Sequence, residues 1–343
     1  VFNRVMDHGQ FIMGREVHDF EDAFSKYCGR RYCAGVDSGT SALFIALQGM
    51  NIGPGDEVIT TSLSWIATAN AIAMTGATPV FCDIKDDLNI NPESAERMIT
   101  KKTRAILIVH YTGRIVDIDA FISISEKYGI PIVEDSAQAF GSIYREKAAG
   151  SFGYVGCFSM NPMKVLSACG EAGAIVTDDL ALYQRIVALR YNGTVNKEIC
   201  IQPSLNGRLD SLQAGILLER MKGVSKKIKK VRNNAYLYNQ LLNKSIIPAP
   251  ERKDEKISFY SYTIQVEKRE ELMEFLSSEG IETKVQHLIL MCEQKPYLNC
   301  PKDNIQNAKR IVKKILSIPV NETITKDQIH YVSESIAKFY KKC

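Results

Sequence analysis

Arg104-Ala105-Ile106-Leu107-Ile108-Val109-His110 and Ile130-Pro131-Ile132-Val133-Glu134-Asp135 are two short apolar runs separated by a helix-period segment, Asp119 to Tyr128. Neither run alternates polar with apolar, as expected of strands buried on both faces. Strand, helix and strand in that order predict a βαβ unit and hence parallel pairing. Upstream, the same rhythm recurs. Helix Val17 to Lys26 precedes strand Tyr32 to Val36, and helix Ser41 to Met50 follows. A turn cluster at Asn51 to Asp56 leads to strand Glu57 to Thr61, helix Ile66 to Thr75 and strand Pro79 to Ile84. Helix Pro92 to Ile99 has Asn91 as N-cap and proline at its first position. The fold class this predicts is α/β, a mostly parallel mixed sheet sandwiched by helices.

Downstream the pattern changes. Strands Val155 to Met160 and Ala172 to Thr177 flank a loop, Asn161 to Glu171, and helices Leu180 to Tyr191, Leu209 to Met221 and Ser225 to Asn243 follow. The turn-rich Ser245-Ile246-Ile247-Pro248-Ala249-Pro250 is read as a boundary, giving a large domain over 1–244 and a small C-terminal α+β domain over 245–343. The small domain is expected to hold strand Phe259 to Val266, helix Glu270 to Glu279, strand Glu282 to Leu288, and helices Ile305 to Ile315 and Lys326 to Phe339.

The composition suits this plan. A chain of 343 residues, 45% hydrophobic, is long enough for a large core plus a smaller one. A net charge of +4 from 43 basic and 39 acidic residues gives no ground for nucleic-acid or membrane-surface binding. The basic run Lys226 to Arg232 has no interleaved aromatics and is read as a solvated helix face. The nine cysteines form no Cys-x-x-Cys pair and the five histidines show no ligand spacing, so free thiols in a reducing cytoplasm are expected and a metal site is not. The opening Val1-Phe2-Asn3-Arg4 carries no apolar leader, so no signal peptide is expected; with no initiator Met, a lead-in before Val1 is.

The sheet lacks the usual nucleotide signatures: neither Gly-x-Gly-x-x-Gly after a strand nor Gly-x-x-x-x-Gly-Lys-Ser/Thr occurs. Four strand ends carry other chemistry. Asp37-Ser38-Gly39-Thr40-Ser41-Ala42 opens a helix, where free N–H groups and the Thr40 and Ser41 hydroxyls suit a phosphate, or an ordinary N-cap. Asp135 ends a strand; a carboxylate there can keep a ring nitrogen protonated, as pyridoxal 5'-phosphate requires, or can cap the next helix. Lys164 lies in the loop that leaves Ser159, with apolar residues before it and Gly170-Glu171-Ala172-Gly173 after. A lysine in such a crevice can form a Schiff base, although most lysines are solvated, and Ser159 is placed for a phosphate oxygen. Trp65, the only tryptophan, follows a strand and can stack on a flat ring or fill the core.

Taken in order, these residues resemble the DegT/DnrJ/EryC1/StrS family of sugar aminotransferases, fold-type I pyridoxal phosphate enzymes. Further landmarks are Gly53-Pro54-Gly55-Asp56-Glu57-Val58-Ile59, Gly76-Ala77-Thr78-Pro79-Val80-Phe81, Glu134-Asp135-Ser136-Ala137-Gln138-Ala139 and Asn206-Gly207-Arg208-Leu209-Asp210-Ser211-Leu212-Gln213. The resemblance implies roles. Lys164 is the Schiff-base lysine and proton shuttle, and Asp135 the partner of the pyridine nitrogen. Gln138 bonds the ring hydroxyl, Trp65 stacks on the ring, and Thr40, Ser41 and Ser159 hold the phosphate. Asn206 reaches the cofactor phosphate of a neighbouring subunit, which implies a homodimer with active sites at the interface. The implied reaction moves an amino group from glutamate to a keto-sugar, linked to a nucleotide diphosphate, with the stretch from Asn206 to Gln213 leaning to the 3-keto position. Departures occur at Ser136, at Phe140 and in the lysine loop Ser159-Met160-Asn161-Pro162-Met163-Lys164-Val165-Leu166-Ser167, which keeps the serine and the lysine at the family's spacing. The rival readings are a sugar dehydratase of the same fold, in which histidine replaces the lysine, and a sensor or binding protein without turnover. His110, Tyr111, Arg114, Tyr191, Asn192, Gln286 and His287 are the candidates for contacting the sugar.

Overall fold

The computed structural model describes residues 1–342. Its centre is a seven-stranded sheet: β1 (Tyr32–Val36), β2 (Glu57–Thr61), β3 (Thr78–Cys82), β4 (Thr103–Val109), β5 (Ile132–Asp135), β6 (Val155–Ser159) and β7 (Gly173–Thr177). The spatial order is β1-β7-β6-β5-β4-β2-β3. Neighbours from β6 to β3 run parallel, whereas β7 runs antiparallel to both β6 and β1. The continuous apolar runs are explained by two-sided burial. Ala105, Leu107 and Val109 of β4 join one core layer, and Ile106 and Ile108 between them join the layer on the opposite face.

Helices predicted between the strands are present within a few residues. Asn91 caps Pro92–Arg97 by accepting the Glu93 N–H, as expected from the sequence. Three expectations fail. The predicted helices Leu209 to Met221 and Ser225 to Asn243 form one helix, Ser211–Leu241. Gly223 lies at the anticipated break, but an interior glycine costs a helix only about 1 kcal/mol relative to alanine. The predicted strand Glu282 to Leu288 makes only an isolated bridge, Lys284 to Ser317, and the expected helix Ile305 to Ile315 stops at Ile311. The buried Ile315-Leu316-Ser317-Ile318 is instead a strand, β9, antiparallel to β8 (Tyr262–Gln265).

The last turns of the long helix, through Val231, Ala235 and Tyr238, pack with Tyr262, Leu272 and Ile336 in a second core. Leu290, Met291, Tyr297 and Ile311 pack against the core of the large sheet, with Tyr297 edge-on to Phe81 at 5.9 Å. The chain beyond Ser245 thus contributes to both cores. The cysteines among the described residues are free thiols, and Cys343 lies outside them. Among the described residues, no helix is long and apolar enough to cross a membrane.

Candidate active site

The carboxyl ends of β1, β2, β5 and β6 lie on one side of the sheet, where α/β folds bind ligands. Loops leaving these ends, with residues from the C-terminal third, enclose a cavity of about 480 Å³. After β1, Ser38 caps helix Gly39–Gly49 by accepting the Ser41 N–H at 3.1 Å, and donates to the Ser41 hydroxyl at 3.0 Å. Gly39 and Thr40 line the cavity, whereas Ser41 is buried behind Ser38 and does not. Glycine is required at 39: a Cβ there would come within 2.5 Å of the Ser159 Cβ. The helix start and the end of β6 therefore meet closely, and Ser159 lines the cavity beside Gly39 and Thr40.

After β2, Ser64, Trp65 and Thr68 reach the same space. Trp65 is 61% exposed and stands at the mouth, its ring 6.0 Å from that of His287. Thr68 donates to Asp135 Oδ2 at 2.9 Å, and the Ala137 N–H donates to Oδ1 at 3.2 Å. Burial raises the Asp135 carboxyl above its ordinary pKa, opposed by these two donors and by the positive charge of Lys164. Gln138 accepts the Thr112 N–H at 2.8 Å through Oε1, which leaves its NH₂ as a donor to the cavity. That N–H is presented by a sharp turn in which Thr112 has φ 59° and Gly113 has φ 96°.

Lys164 enters from the loop between β6 and β7, its backbone N–H donating to the Asn161 carbonyl at 3.0 Å. Its Nζ lies 4.6 Å from the centre of the Tyr260 ring. Burial lowers the amine below its ordinary pKa, against the pull of Asp135 and Glu171. A buried carboxylate and a lysine of lowered pKa thus share one cavity, an arrangement suited to moving a proton.

Of the predicted residues, Thr40, Trp65, Asp135, Gln138, Ser159 and Lys164 converge on the cavity. Asn206 is not among the residues lining it: its Oδ1 accepts from Arg208 Nε at 2.7 Å, and its backbone bridges Tyr191. Gln286 and His287 line the cavity, but the other sugar candidates do not. His110 is buried against Glu134 at 2.8 Å. Arg114 donates to the carbonyls of Ala249 and Pro250 at 2.6 and 2.8 Å. Tyr111 is buried, its ring 5.6 Å from His287. Tyr191 lies under the Arg208 guanidinium, and the Asn192 N–H donates to the Leu205 carbonyl. Sequence reasoning missed Thr68, Glu171, Tyr260 and Lys284, all of which line the cavity. Tyr260 was expected inside a strand but lies in the loop before β8, and no local pattern marks it.

Comparisons with known proteins identify the family. The model of the DegT/DnrJ/EryC1/StrS aminotransferase family matches residues 1–337. A pleiotropic regulatory protein of Geobacillus stearothermophilus is 35% identical, covering 99% of this chain and 94% of its own length. The dTDP-3-amino-3,6-dideoxy-alpha-D-galactopyranose transaminase of Aneurinibacillus thermoaerophilus is 34% identical, over 98% of this chain and 93% of its own. The crystal structure of Streptomyces venezuelae DesV, in complex with a ketimine intermediate, superposes with a TM-score of 0.95 at 33% identity, covering 99% of this chain and 93% of that one. The chain belongs to the DegT/DnrJ/EryC1/StrS aminotransferase family.

Proposed function

We propose that the protein transfers an amino group from glutamate to a keto-sugar, linked to a nucleotide diphosphate and carrying its ketone at position 3, with pyridoxal phosphate as cofactor. The observation that carries this reading is Lys164 and Asp135 lining one cavity with Gln138, Trp65 and the Gly39–Ser159 contact. These residues fit the cofactor. The close approach at Gly39, with Thr40 and Ser159, would receive the phosphate. The Asp135 carboxylate would hold the ring nitrogen protonated, the Gln138 NH₂ would donate to the ring hydroxyl, and Trp65 would cover a ring face. Lys164 would attach the cofactor through Nζ. When bound, pyridoxal phosphate supplies an electron-withdrawing ring that delocalises the electron pair left when a carbon loses its proton.

The residues of this chain do the rest. Burial lowers the pKa of the Lys164 amine and so eases its loss of a proton, which lets it take the proton from the α-carbon of the donor and return one on the acceptor side. Asp135, fixed by Thr68 and the Ala137 N–H, keeps its charge opposite the cation it must stabilise. The 3-position follows the name of the Aneurinibacillus transaminase.

A second reading, binding or regulation without turnover, is suggested by the name of the Geobacillus relative. It leaves the lowered pKa of Lys164 without a purpose. One experiment separates the two. Protein loaded with pyridoxal phosphate should show a visible absorption band that bleaches with glutamate, and Lys164→Ala should lose the response. A band that ignores glutamate would leave the regulatory reading standing. Asn206, which does not reach the cavity of its own chain, acts in this proposal at the site of a second subunit. Mixing inactive Lys164→Ala and Asn206→Ala proteins and letting them exchange should then restore roughly a quarter of wild-type activity, since half the dimers are hybrid with one intact site each. No recovery would remove the shared site.

A further inference from the structure

The loop that carries Lys164 has an inner and an outer side. Lys164 and Glu171 line the cavity, and the charge of Glu171 acts on the Lys164 amine. Between them, Ser167, Ala168 and Cys169 meet the long helix Ser211–Leu241. Two side chains of that helix grip them. Arg220 Nη1 donates to the Ser167 carbonyl and hydroxyl at 2.6 and 2.7 Å and to the Ala168 carbonyl at 3.2 Å, and Nη2 reaches Cys169 Sγ at 3.7 Å. Gln213 Oε1 accepts the Cys169 N–H at 2.9 Å, and a Cβ on Gly170 would come within 3.0 Å of Gln213 Nε2. Gln213 and Arg220 stand two helical turns apart, on one face. Between them, Leu217 is buried in the same core layer as Leu166 and Ala168 of the loop. Neither Gln213 nor Arg220 is among the residues lining the cavity.

We infer that Arg220, with Gln213, is a positioning residue for the amino transfer: by gripping the outer side of the loop it fixes where Lys164 and Glu171 stand in the cavity, without touching cofactor or substrate. The inference rests on the reading of Lys164 above. The loop's other ties, the Ala168 N–H to the Met160 carbonyl at 2.7 Å and the Lys164 N–H to the Asn161 carbonyl at 3.0 Å, run to its own first residues and do not anchor it to the helix. One planar guanidinium joins three oxygens of two consecutive residues, a geometry that a single ammonium cannot reproduce. A displacement of about 1 Å at a reacting group can cost on the order of 10²-fold in rate, so a grip outside the cavity can matter inside it.

Arg220→Ala tests this, because the guanidinium can be given back. An open cavity of about 590 Å³ on the outer side is lined by Ser167, Cys169 and Arg220, so a small ion can reach the vacated place. Pyridoxal phosphate is added to cofactor-free protein, and the rate at which the visible band forms is followed against pH. The midpoint of that profile reports the Lys164 amine and should move upward in Arg220→Ala, because an amine released toward solvent regains its ordinary pKa. In the loaded enzyme, kcat should fall on the order of 10- to 100-fold with KM for glutamate within about twofold of wild type. Millimolar guanidinium chloride should restore much of both losses, and sodium chloride at the same concentration should not. Gln213→Leu leaves the guanidinium in place and is the milder variant: the midpoint should move the same way by less, and kcat should fall about two- to tenfold. An unmoved midpoint in both variants overturns the inference, and so does a loss that guanidinium fails to reverse, which would make the grip a matter of folding alone. Either result leaves the aminotransferase reading intact. Wild-type protein that forms no band overturns the reading of Lys164, and this inference with it.

Discussion

Glu134 and Asp135 are neighbours on β5, both buried, and the regions on the two sides of that strand treat them in opposite ways. Successive side chains of a strand point to opposite faces. Behind the strand, Glu134 accepts the N–H groups of Gly150, Phe152 and Gly153 at 2.8, 2.7 and 2.6 Å, and faces His110 Nε2 at 2.8 Å. The other ring nitrogen of His110 accepts the Val116 N–H at 3.3 Å, so Nε2 is the donor to Glu134. Burial pushes this carboxyl up, but the surrounding donors outweigh it and hold it below its ordinary pKa. On the cavity side, Asp135 has only Thr68 and the Ala137 N–H, and burial wins. Burial alone therefore does not set the character of an acid; the number of donors aimed at it does. Glu134 fastens the β5 end to the Gly150–Gly153 loop, and Asp135 keeps unspent capacity for a cation.

The largest effect that would sharpen this contrast is expected from Asp135→Asn. Turnover should fall on the order of 10³-fold, the scale on which a preorganised charge counts. The cofactor-free protein should melt no lower than wild type at neutral pH. The raised pKa means that the ionised Asp135 costs stability there, a cost relieved as pH falls through that pKa. A clear drop in melting temperature would show that Asp135 is structural. Next comes Glu134→Gln, which leaves buried N–H groups competing for one acceptor and should cost about 3 kcal/mol in urea unfolding. Its lowered pKa means that stability is present above the ordinary glutamate value of 4.5 and is lost as pH falls through the folded value. Glu134→Gln should therefore flatten the acid loss of stability below that point, and Asp135→Asn should not; identical acid profiles would break the comparison. The smallest effect is expected from Thr68→Val, which removes one of the two donors to Asp135. Turnover should fall no more than about tenfold. The acid limb of its pH profile should move upward, and an unmoved limb would mean that Thr68 does not set the charge of Asp135.

The sequence made the sheet legible because two-sided burial leaves uninterrupted runs such as Ala105 to Val109, and no surface helix imitates them. It made Asp135, Ser159 and Trp65 legible because each follows such a run, so the residue at the strand end was already placed. Tyr260 and Lys284 escaped. Their segments reach the cavity by packing against the sheet from far along the chain, and nothing local encodes the distance. Glu282 to Leu288 was misread for the same reason: Lys284, Gln286 and His287 line a cavity, and a cavity wall can resemble a strand edge in period. His110 illustrates the opposite error. It directly follows strand β4, much as Asp135 ends β5, but its partner Glu134 turns it into a brace that no reading of one strand could reveal.

The placement of β7 has a consequence for how the chain is made. β1 is complete at Val36, yet among the described residues its only neighbour in the sheet is β7, which ends at Thr177. At ordinary elongation rates of roughly 5–20 residues per second, about 7–28 s pass before that partner emerges from the ribosome. During that interval, the first strand, with Cys33 and Ala34 destined for full burial, is an open edge that any other nascent chain could take. A protein built this way depends on its surroundings most while it is half synthesised, and mutations that slow the closing of β7 should show up as aggregates before they show up as lost activity.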